Sequence, residues 1–176
     1  MGSASDGQPG NRETLVVKAT ALGRAIAQRD VVLLTGATTG VVYVVGKAAH
    51  EAGGLHVGIS PAHNNQEHTE VYKLPLDASD LIIYTGFGLK GRNVVLVRSC
   101  DIVLFIAGAM GSLNEFTIAH DEGKVVGCLT GTGGVADEAD YLLQKFSKVQ
   151  GGSVFQDDEP NRLIDTCLER VKVVDR

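Results

Sequence analysis

Short apolar runs, glycine-rich turns and helical stretches follow one another repeatedly along this chain of 176 residues. The apolar runs occupy residues 31–35, 56–60, 81–85, 102–106 and 125–129. They are apolar at successive positions, which is typical of strands buried on both faces. Strands that alternate with helices of about ten to fifteen residues need crossover connections and form a parallel sheet. The pattern predicts an α/β fold with a doubly wound, mostly parallel sheet and helices on both of its faces.

The first strand of such a sheet is missing from the pattern. Helices are predicted over residues 13–28, 41–52, 92–99, 112–122, 137–147 and 160–171, with a weak strand over 153–155. Only residues 1–11 precede the first helix, so we expect the first strand to be truncated or absent. The length of the chain and the lack of a long linker predict a single domain over residues 1–176.

Net charge, apolar runs and cysteine number limit the kinds of molecule that this protein is expected to bind. The net charge of −5 and the pI near 5.5 disfavour a broad basic surface for nucleic acid. The chain has neither an apolar run of about eighteen residues for a membrane span nor an apolar signal core. The cysteines, Cys100, Cys128 and Cys167, are odd in number and far apart, which predicts buried thiols in a reducing compartment. We therefore expect a cytoplasmic protein with a small-molecule ligand.

Glycine clusters follow three of the predicted strands, at residues 36–40, 86–88 and 108–111. In open parallel sheets, ligands bind beyond the carboxyl ends of the strands and over helix N-termini. Glycine there lets backbone N–H groups approach an anion. A tight turn explains one such cluster, but three at one edge favour a phosphate or another oxyanion. The residues predicted to bind it are Gly36, Thr39, Gly40, Gly86, Gly108, Gly111 and Ser112.

Two other patterns point to different chemistry and are weaker. Gly86-x-Gly88-x-x-Gly91 matches the dinucleotide fingerprint, but no acidic residue ends the next apolar run, so an NAD(P) oxidoreductase is a third reading only. His63 and His68 flank a polar loop and lack a third ligand. We predict no metal site and no resident cofactor.

Few charged groups accompany the glycine turns. Ser112 and Glu115 have the spacing of a capping box, with the serine as N-cap, although a glutamate there is also placed to touch a bound sugar. Arg92 is predicted to open a helix, either as a surface residue or as a ligand contact. Arg98 is expected to pair with Asp101 or another nearby acid.

Several blocks of the sequence, in order, resemble the Lonely Guy (LOG) family. Residues 108–115, GAMGSLNE, are similar to that family's Pro-Gly-Gly-x-Gly-Thr-x-x-Glu signature. Residues 91–101, GRNVVLVRSCD, resemble the arginine helix and the Ser-x-Asp that precede the signature. An earlier block, from the turn at 36–40 to GISP at 58–61, also resembles the family. The resemblance extends over about residues 31–130.

The resemblance implies a Rossmann-like nucleotide-binding fold that assembles as a homodimer or a dimer of dimers. Active LOG enzymes hydrolyse the N-glycosidic bond of nucleoside 5′-monophosphates. By this resemblance Gly108, Gly111 and Ser112 would hold the phosphate, while Glu115 and Arg92 would be catalytic. A carboxylate beside the sugar suits a reaction whose transition state resembles an oxocarbenium ion.

This chain departs from the signature at three positions. Ala107 replaces its proline, Ala109 its second glycine and Ser112 its threonine. These departures resemble wider Rossmann-like relatives, which include molybdenum-cofactor carrier proteins. Two functions follow as hypotheses: a phosphoribohydrolase, or a carrier or sensor that binds a nucleotide or a pterin cofactor without catalysis.

Overall fold

The computed structural model describes residues 1–2, 12–147 and 151–174, and its strands are all parallel. The predicted α/β class is confirmed. The elements in chain order are α1 (Arg12–Ala27), β1 (Leu33–Thr35), α2 (Val41–Glu51), β2 (His56–Ser60), β3 (Leu81–Tyr84), α3 (Gly88–Arg98), β4 (Ile102–Ile106), α4 (Met110–Asp121), β5 (Val125–Leu129), α5 (Gly134–Phe146), β6 (Val154–Asp157) and α6 (Pro160–Val174). A short π-helical turn, Glu67–Val71, lies between β2 and β3.

The chain divides into two compact units. The N-terminal unit comprises residues 4–96, and the C-terminal unit comprises residues 1–3 and 97–176. Each contains a three-stranded parallel sheet, ordered β1-β2-β3 in the first and β4-β5-β6 in the second. Among the described residues, no helix is long and apolar enough to cross a membrane.

In the C-terminal unit, helices cover both faces of the sheet. Successive strand residues point to opposite faces. Phe105 of β4 therefore faces α4, where its ring meets that of Phe116 edge to face at 5.5 Å. Gly127 of β5 points the other way, and a Cβ there would lie 2.9 Å from the Sγ of Cys167 in α6. Burial on both faces explains why β4 and β5 are apolar throughout.

Before α1, where the sequence predicts a truncated or absent first strand, the described residues make a single bridge. Gly2 pairs in parallel with Ile106, whose N–H donates to the carbonyl of Met1 at 3.1 Å. Met1 and Gly2 thus lie alongside β4 without forming a strand.

In the N-terminal unit, α2 packs closely on β2 and on α1. Gly46 lies against the ring of His56, with two ring nitrogens 3.0 Å from where its Cβ would be. At Gly23 the backbone of α1 approaches α2, since a Cβ there would lie 2.9 Å from the Cβ of Ala48. Gly46 and Gly23 therefore allow α2 to pack closely on β2 and α1 to pack closely on α2.

Candidate ligand-binding site

The turn between β4 and α4 has a fixed and unusual backbone. Ala107 and Gly108 both have positive φ angles, 52° and 115°. The N–H of Ala107 donates to Oγ1 of Thr132 at 2.8 Å. The carbonyls of Ala107 and Gly108 accept from the N–H groups of Ala136 and Val135 at 3.0 and 3.1 Å. The start of α5 therefore holds this turn in shape.

The first turn of α4 can receive an anion. The helix begins at Met110, with Ala109 as its N-cap, so the N–H groups of Met110, Gly111 and Ser112 have no acceptor within the helix. No described atom lies within 4 Å of where a Cβ of Gly111 would be, the glycine's chain neighbours and its own helix backbone aside. Open space beside helix N–H groups, at the positive end of the helix dipole, suits a phosphate.

The predicted capping box at Ser112 and Glu115 is wrong, because α4 begins two residues earlier than expected. Ser112 is the third residue of the helix, and its Oγ donates to the carbonyl of Gly2 at 3.0 Å. Its hydroxyl hydrogen is thus engaged, and its backbone N–H is the group left for a ligand. Glu115 lies in the second turn and is only 6% exposed.

A similar pair of side-chain-to-backbone hydrogen bonds occurs at the turn after β2. Oδ1 of Asn64 accepts the N–H of Glu67 at 2.9 Å, and Oε2 of Glu67 accepts the N–H of His63 at 2.7 Å. The polar stretch between His63 and His68, for which the sequence predicts a loop, is therefore the start of a helical segment. This segment fixes the backbone at His63.

In the N-terminal unit, Arg92 lies directly on Gly36. A Cβ at Gly36 would overlap the guanidinium, 2.6 Å from Cζ and 2.9 Å from Nη2. Arg92 is 6% exposed. It does not open a helix as predicted: α3 begins at Gly88, which places Arg92 in its second turn. Gly36 thus makes room for a cation at the carboxyl end of β1, while Thr39 and Gly40 precede α2, with Gly40 as its N-cap.

A buried hydroxyl and a buried imidazole shape the turn after β1. Oγ1 of Thr35 accepts the N–H of Ala37, which has a φ of 48°, and it hydrogen-bonds to Nε2 of His56 at 2.8 Å. Nδ1 of His56 donates to the carbonyl of Ala78, so Nε2 is the acceptor of the Thr35 hydroxyl. Burial lowers the pKa of His56 below its usual value, which keeps the ring neutral for this role.

The turn after β2 repeats the arrangement. Oγ of Ser60 accepts the N–H of Ala62 at 3.1 Å and bonds to Nδ1 of His68 at 2.8 Å, while Nε2 of His68 donates to the carbonyl of Pro75 at 3.0 Å. Both ring nitrogens of His68 are used within the protein. Within the described ranges, no group of three or more histidine, cysteine, aspartate or glutamate side chains could hold a metal.

The turn after β3 has already used most of its backbone donors. The N–H groups of Gly86 and Gly88 donate to the carbonyls of Ala62 and Pro61 at 2.9 and 3.1 Å. The dinucleotide fingerprint therefore does not present these N–H groups to a pyrophosphate. Gly86, predicted to bind phosphate, would reach a ligand by contact and not by its amide.

The structure distributes the predicted site residues between the two units. Gly108, Gly111, Ser112 and Glu115 belong to the C-terminal unit, whereas Arg92, Gly36, Thr39, Gly40 and Gly86 belong to the N-terminal unit. Sequence reasoning missed His56 and did not predict that His68, considered only as a metal ligand, supports a turn. A signal for them was present, since a threonine or serine ends the apolar run beside each turn that they support.

Arg98 has an acidic partner, and two of the cysteines are buried, as predicted. Arg98 pairs with Glu122, not with Asp101, at 2.7 Å. Cys128 and Cys167 are free and buried, and burial raises the pKa of each thiol to about 12.

Parallel strands, crossover helices and glycine-rich turns at the carboxyl ends of the strands define a Rossmann-like α/β protein. The model of the SLOG cluster4 family matches residues 1–164. The chain therefore belongs to the SLOG cluster4 family.

Solved structures of similar fold include proteins named for a cofactor. The chain is 27% identical to TM1055, with a TM-score of 0.75, over 94% of this chain and 96% of that one. It is 29% identical to the molybdenum cofactor binding protein of Rippkaea orientalis, with a TM-score of 0.72, over 100% and 94% of the two chains. It is 25% identical to the molybdenum cofactor carrier protein of Chlamydomonas reinhardtii, with a TM-score of 0.72, over 98% and 96%.

A curated relative is an uncharacterised protein of Archaeoglobus fulgidus. The two chains are 35% identical over 108 residues, which are 61% of this chain and 66% of the relative. The match thus spans just under two thirds of that protein.

Proposed function

We propose that this protein is a carrier that binds a phosphorylated pterin or nucleotide without transforming it, with its phosphate at the turn of residues 107–112. The observation that carries the proposal is the first turn of α4, where the N–H groups of Met110, Gly111 and Ser112 have no acceptor within the helix and the space beside Gly111 is open among the described residues. The similarity to molybdenum cofactor binding and carrier proteins supports a pterin cargo. Acidic overall charge is compatible with such a site, because the anion is held by local dipoles.

Gly111→Val tests the phosphate site. Nothing within 4 Å opposes a side chain at Gly111, so the variant is expected to fold. Its isopropyl group would occupy the open space beside the first turn of α4, and we expect it to weaken binding of AMP or a phosphorylated pterin at least tenfold, as measured by calorimetry. Glu138→Val, on the exposed surface of α5, adds the same side chain elsewhere and should bind normally. Unchanged affinity in Gly111→Val would contradict the phosphate site.

A second candidate function is hydrolysis of nucleoside 5′-monophosphates, as in LOG enzymes. The observation that favours it is Glu115, a carboxylate only 6% exposed in the helix that follows the signature turn, at the position where the LOG signature has its glutamate. In that reaction Glu115 and Arg92 would be the catalytic residues. Release of free adenine from AMP, absent in Glu115→Ala, would establish it. Bound AMP recovered intact from the unaltered protein would favour the carrier.

Three expectations accompany the proposal. The chain would form one domain over residues 1–176, act in the cytoplasm, and assemble as a homodimer or a dimer of dimers. Sedimentation velocity at micromolar concentration tests the last of these, because a single species with the mass of one chain would contradict it.

A further inference from the structure

A cavity of about 670 Å³ lies between α4 and α5 in the C-terminal unit, and we call it the α4–α5 cavity. Its apolar walls include Leu113, Phe116, Leu142, Leu143 and Phe146. Phe116 belongs to the hydrophobic core, and the three leucines are partly buried and pack against that core. Sites for small molecules are typically concave, about 300–1,000 Å³ in volume and lined mainly by apolar side chains. The size and the walls of the cavity therefore suit a small apolar molecule.

The α4–α5 cavity is separate from the proposed phosphate site. It lies towards the carboxyl-terminal ends of both helices, because its lining includes His120 and Asp121 at the end of α4 and Phe146 at the end of α5. At a rise of 1.5 Å per residue, the backbone of His120 is about 14 Å along the helix axis from Gly111. Binding in the cavity can therefore be measured independently of the phosphate site.

His120 is a firmly held polar residue of this lining. Its side chain is only 13% exposed. Gly151, which also lines the cavity, packs on the imidazole, since a Cβ there would be 2.6 Å from each ring nitrogen. The N–H of Gly152 donates to the carbonyl of His120 at 2.8 Å. Because the ring is already held in place, it loses little conformational freedom when a ligand binds.

The polar side chains of the cavity offer hydrogen-bond acceptors. Nδ1 of His120 lies 3.4 Å from Oδ1 of Asp121 and donates to it, so Nε2 of the neutral ring is an acceptor. This Nε2 makes no hydrogen bond to another residue in the described ranges. The hydroxyl of Thr117 donates to the carbonyl of Asn114 at 2.9 Å, which leaves its oxygen as a further acceptor. The carboxylate of Asp121 and the negative ends of the two helix dipoles disfavour an anion.

We propose that the α4–α5 cavity binds a small molecule whose apolar body lies against Phe116 and the leucines and whose polar end donates a hydrogen bond to Nε2 of His120. The polar end is a hydroxyl or an ammonium group, since both share this donor chemistry. The inference goes beyond the proposed function, because it concerns a second ligand at a different end of α4.

The test is a titration of isotope-labelled protein with phenethyl alcohol, phenethylamine and hydrocinnamate, followed by NMR. The three probes share a phenyl ring and end in a hydroxyl, an ammonium and a carboxylate group. We expect the alcohol or the amine to bind with a dissociation constant of about 0.1–1 mM and to shift the signals of residues that line the cavity. Hydrocinnamate should bind at least tenfold more weakly. The alcohol and the amine decide whether the polar end is neutral or charged.

Two variants locate the contact. Thr117→Trp adds an indole at an exposed position of the lining and should weaken binding at least tenfold, whereas Glu138→Trp, on the exposed surface of α5 outside the lining, should bind normally. His120→Phe keeps a ring under Gly151 but removes Nε2, so it should weaken binding of the donor probe about two- to tenfold. Circular dichroism of each variant shows that a loss of binding does not come from unfolding.

Three results would overturn the inference. The site is wrong if no probe binds saturably up to about 10 mM or if Thr117→Trp binds as the unaltered protein does. The assignment of the polar end is wrong if His120→Phe keeps full affinity or if hydrocinnamate binds as tightly as the other probes. If Thr117→Trp converts a dimer into single chains in sedimentation velocity, a second copy of the chain covers the cavity in place of a small molecule.

Discussion

Two adjacent glycines at the start of α5 offer a sharp test of how the turn after β4 is held. Gly133 and Gly134 both have positive φ angles, 83° and 59°. A Cβ at Gly134 would overlap the carbonyl oxygen of Gly108 and lie 3.0 Å from its carbonyl carbon and nitrogen, whereas nothing lies within 4 Å of a Cβ at Gly133. Backbone cannot move aside as easily as the end of a flexible side chain.

Gly133→Ala and Gly134→Ala therefore both place a side chain at a positive φ, but only Gly134→Ala also introduces a clash with the backbone of Gly108. An alanine at a positive φ costs about 1–3 kcal/mol at either position, and Gly133, with a ψ of −179°, lies in a region that is essentially restricted to glycine. Gly134→Ala must also separate α5 from Gly108, which breaks the hydrogen bonds donated by Val135 and Ala136, each with a net contribution of about 0.5–1.5 kcal/mol. We expect unfolding free energies lower by about 1–3 kcal/mol for Gly133→Ala and by about 2–6 kcal/mol for Gly134→Ala.

Urea denaturation followed by far-ultraviolet circular dichroism measures both values under the same conditions. In a thermal scan the difference of about 1–3 kcal/mol corresponds to roughly 2–12 °C in Tm for a chain of this length. Equal destabilisation of the two variants would refute the argument, because it would mean that the start of α5 does not press on the turn.

Two further predictions concern buried titratable groups. Burial lowers the pKa of His56, so the unfolded chain binds a proton more readily than the folded chain below pH 6.5. The unfolding free energy should therefore fall as the pH drops from 6.5 to 5, by up to about 1.4 kcal/mol per pH unit. Urea midpoints that decline as steeply in His56→Gln as in the unaltered protein would contradict this. Because burial raises the pKa of Cys128 and Cys167 to about 12, neither should react with Ellman's reagent at pH 8 until urea unfolds the protein, and their rapid labelling in the folded state would show that they are accessible.

Sequence pattern alone locates the strands well and the helix starts poorly. The ranges predicted for β2, β4 and β5 match the structure residue for residue, because strands buried on both faces leave continuous apolar runs. The helices α3, α4 and α5 all begin earlier than predicted, at Gly88, Met110 and Gly134. Glycine has a low helix propensity, which made these turns look like loops.

In the candidate site too, local features could be predicted from the sequence and long-range contacts could not. The glycine turns are local and were found, and the structure shows why Gly36 and Gly108 accept no side chain. The contact of Arg92 with Gly36 joins residues more than fifty positions apart, so no local spacing encodes it. Likewise, His56 reaches Thr35 at the turn after β1 only because β2 pairs with β1.

The hydroxyl–imidazole pairs behind the first two turns carry a consequence for the history of this fold. Thr35 and His56 form one pair, and Ser60 and His68 form the other. A substitution that removes one member of a pair leaves the other buried without its hydrogen-bond partner, which destabilises the protein and disfavours single substitutions at these positions. Chains descended from a common ancestor should therefore change these four positions two at a time, so that the pairs are inherited as linked units.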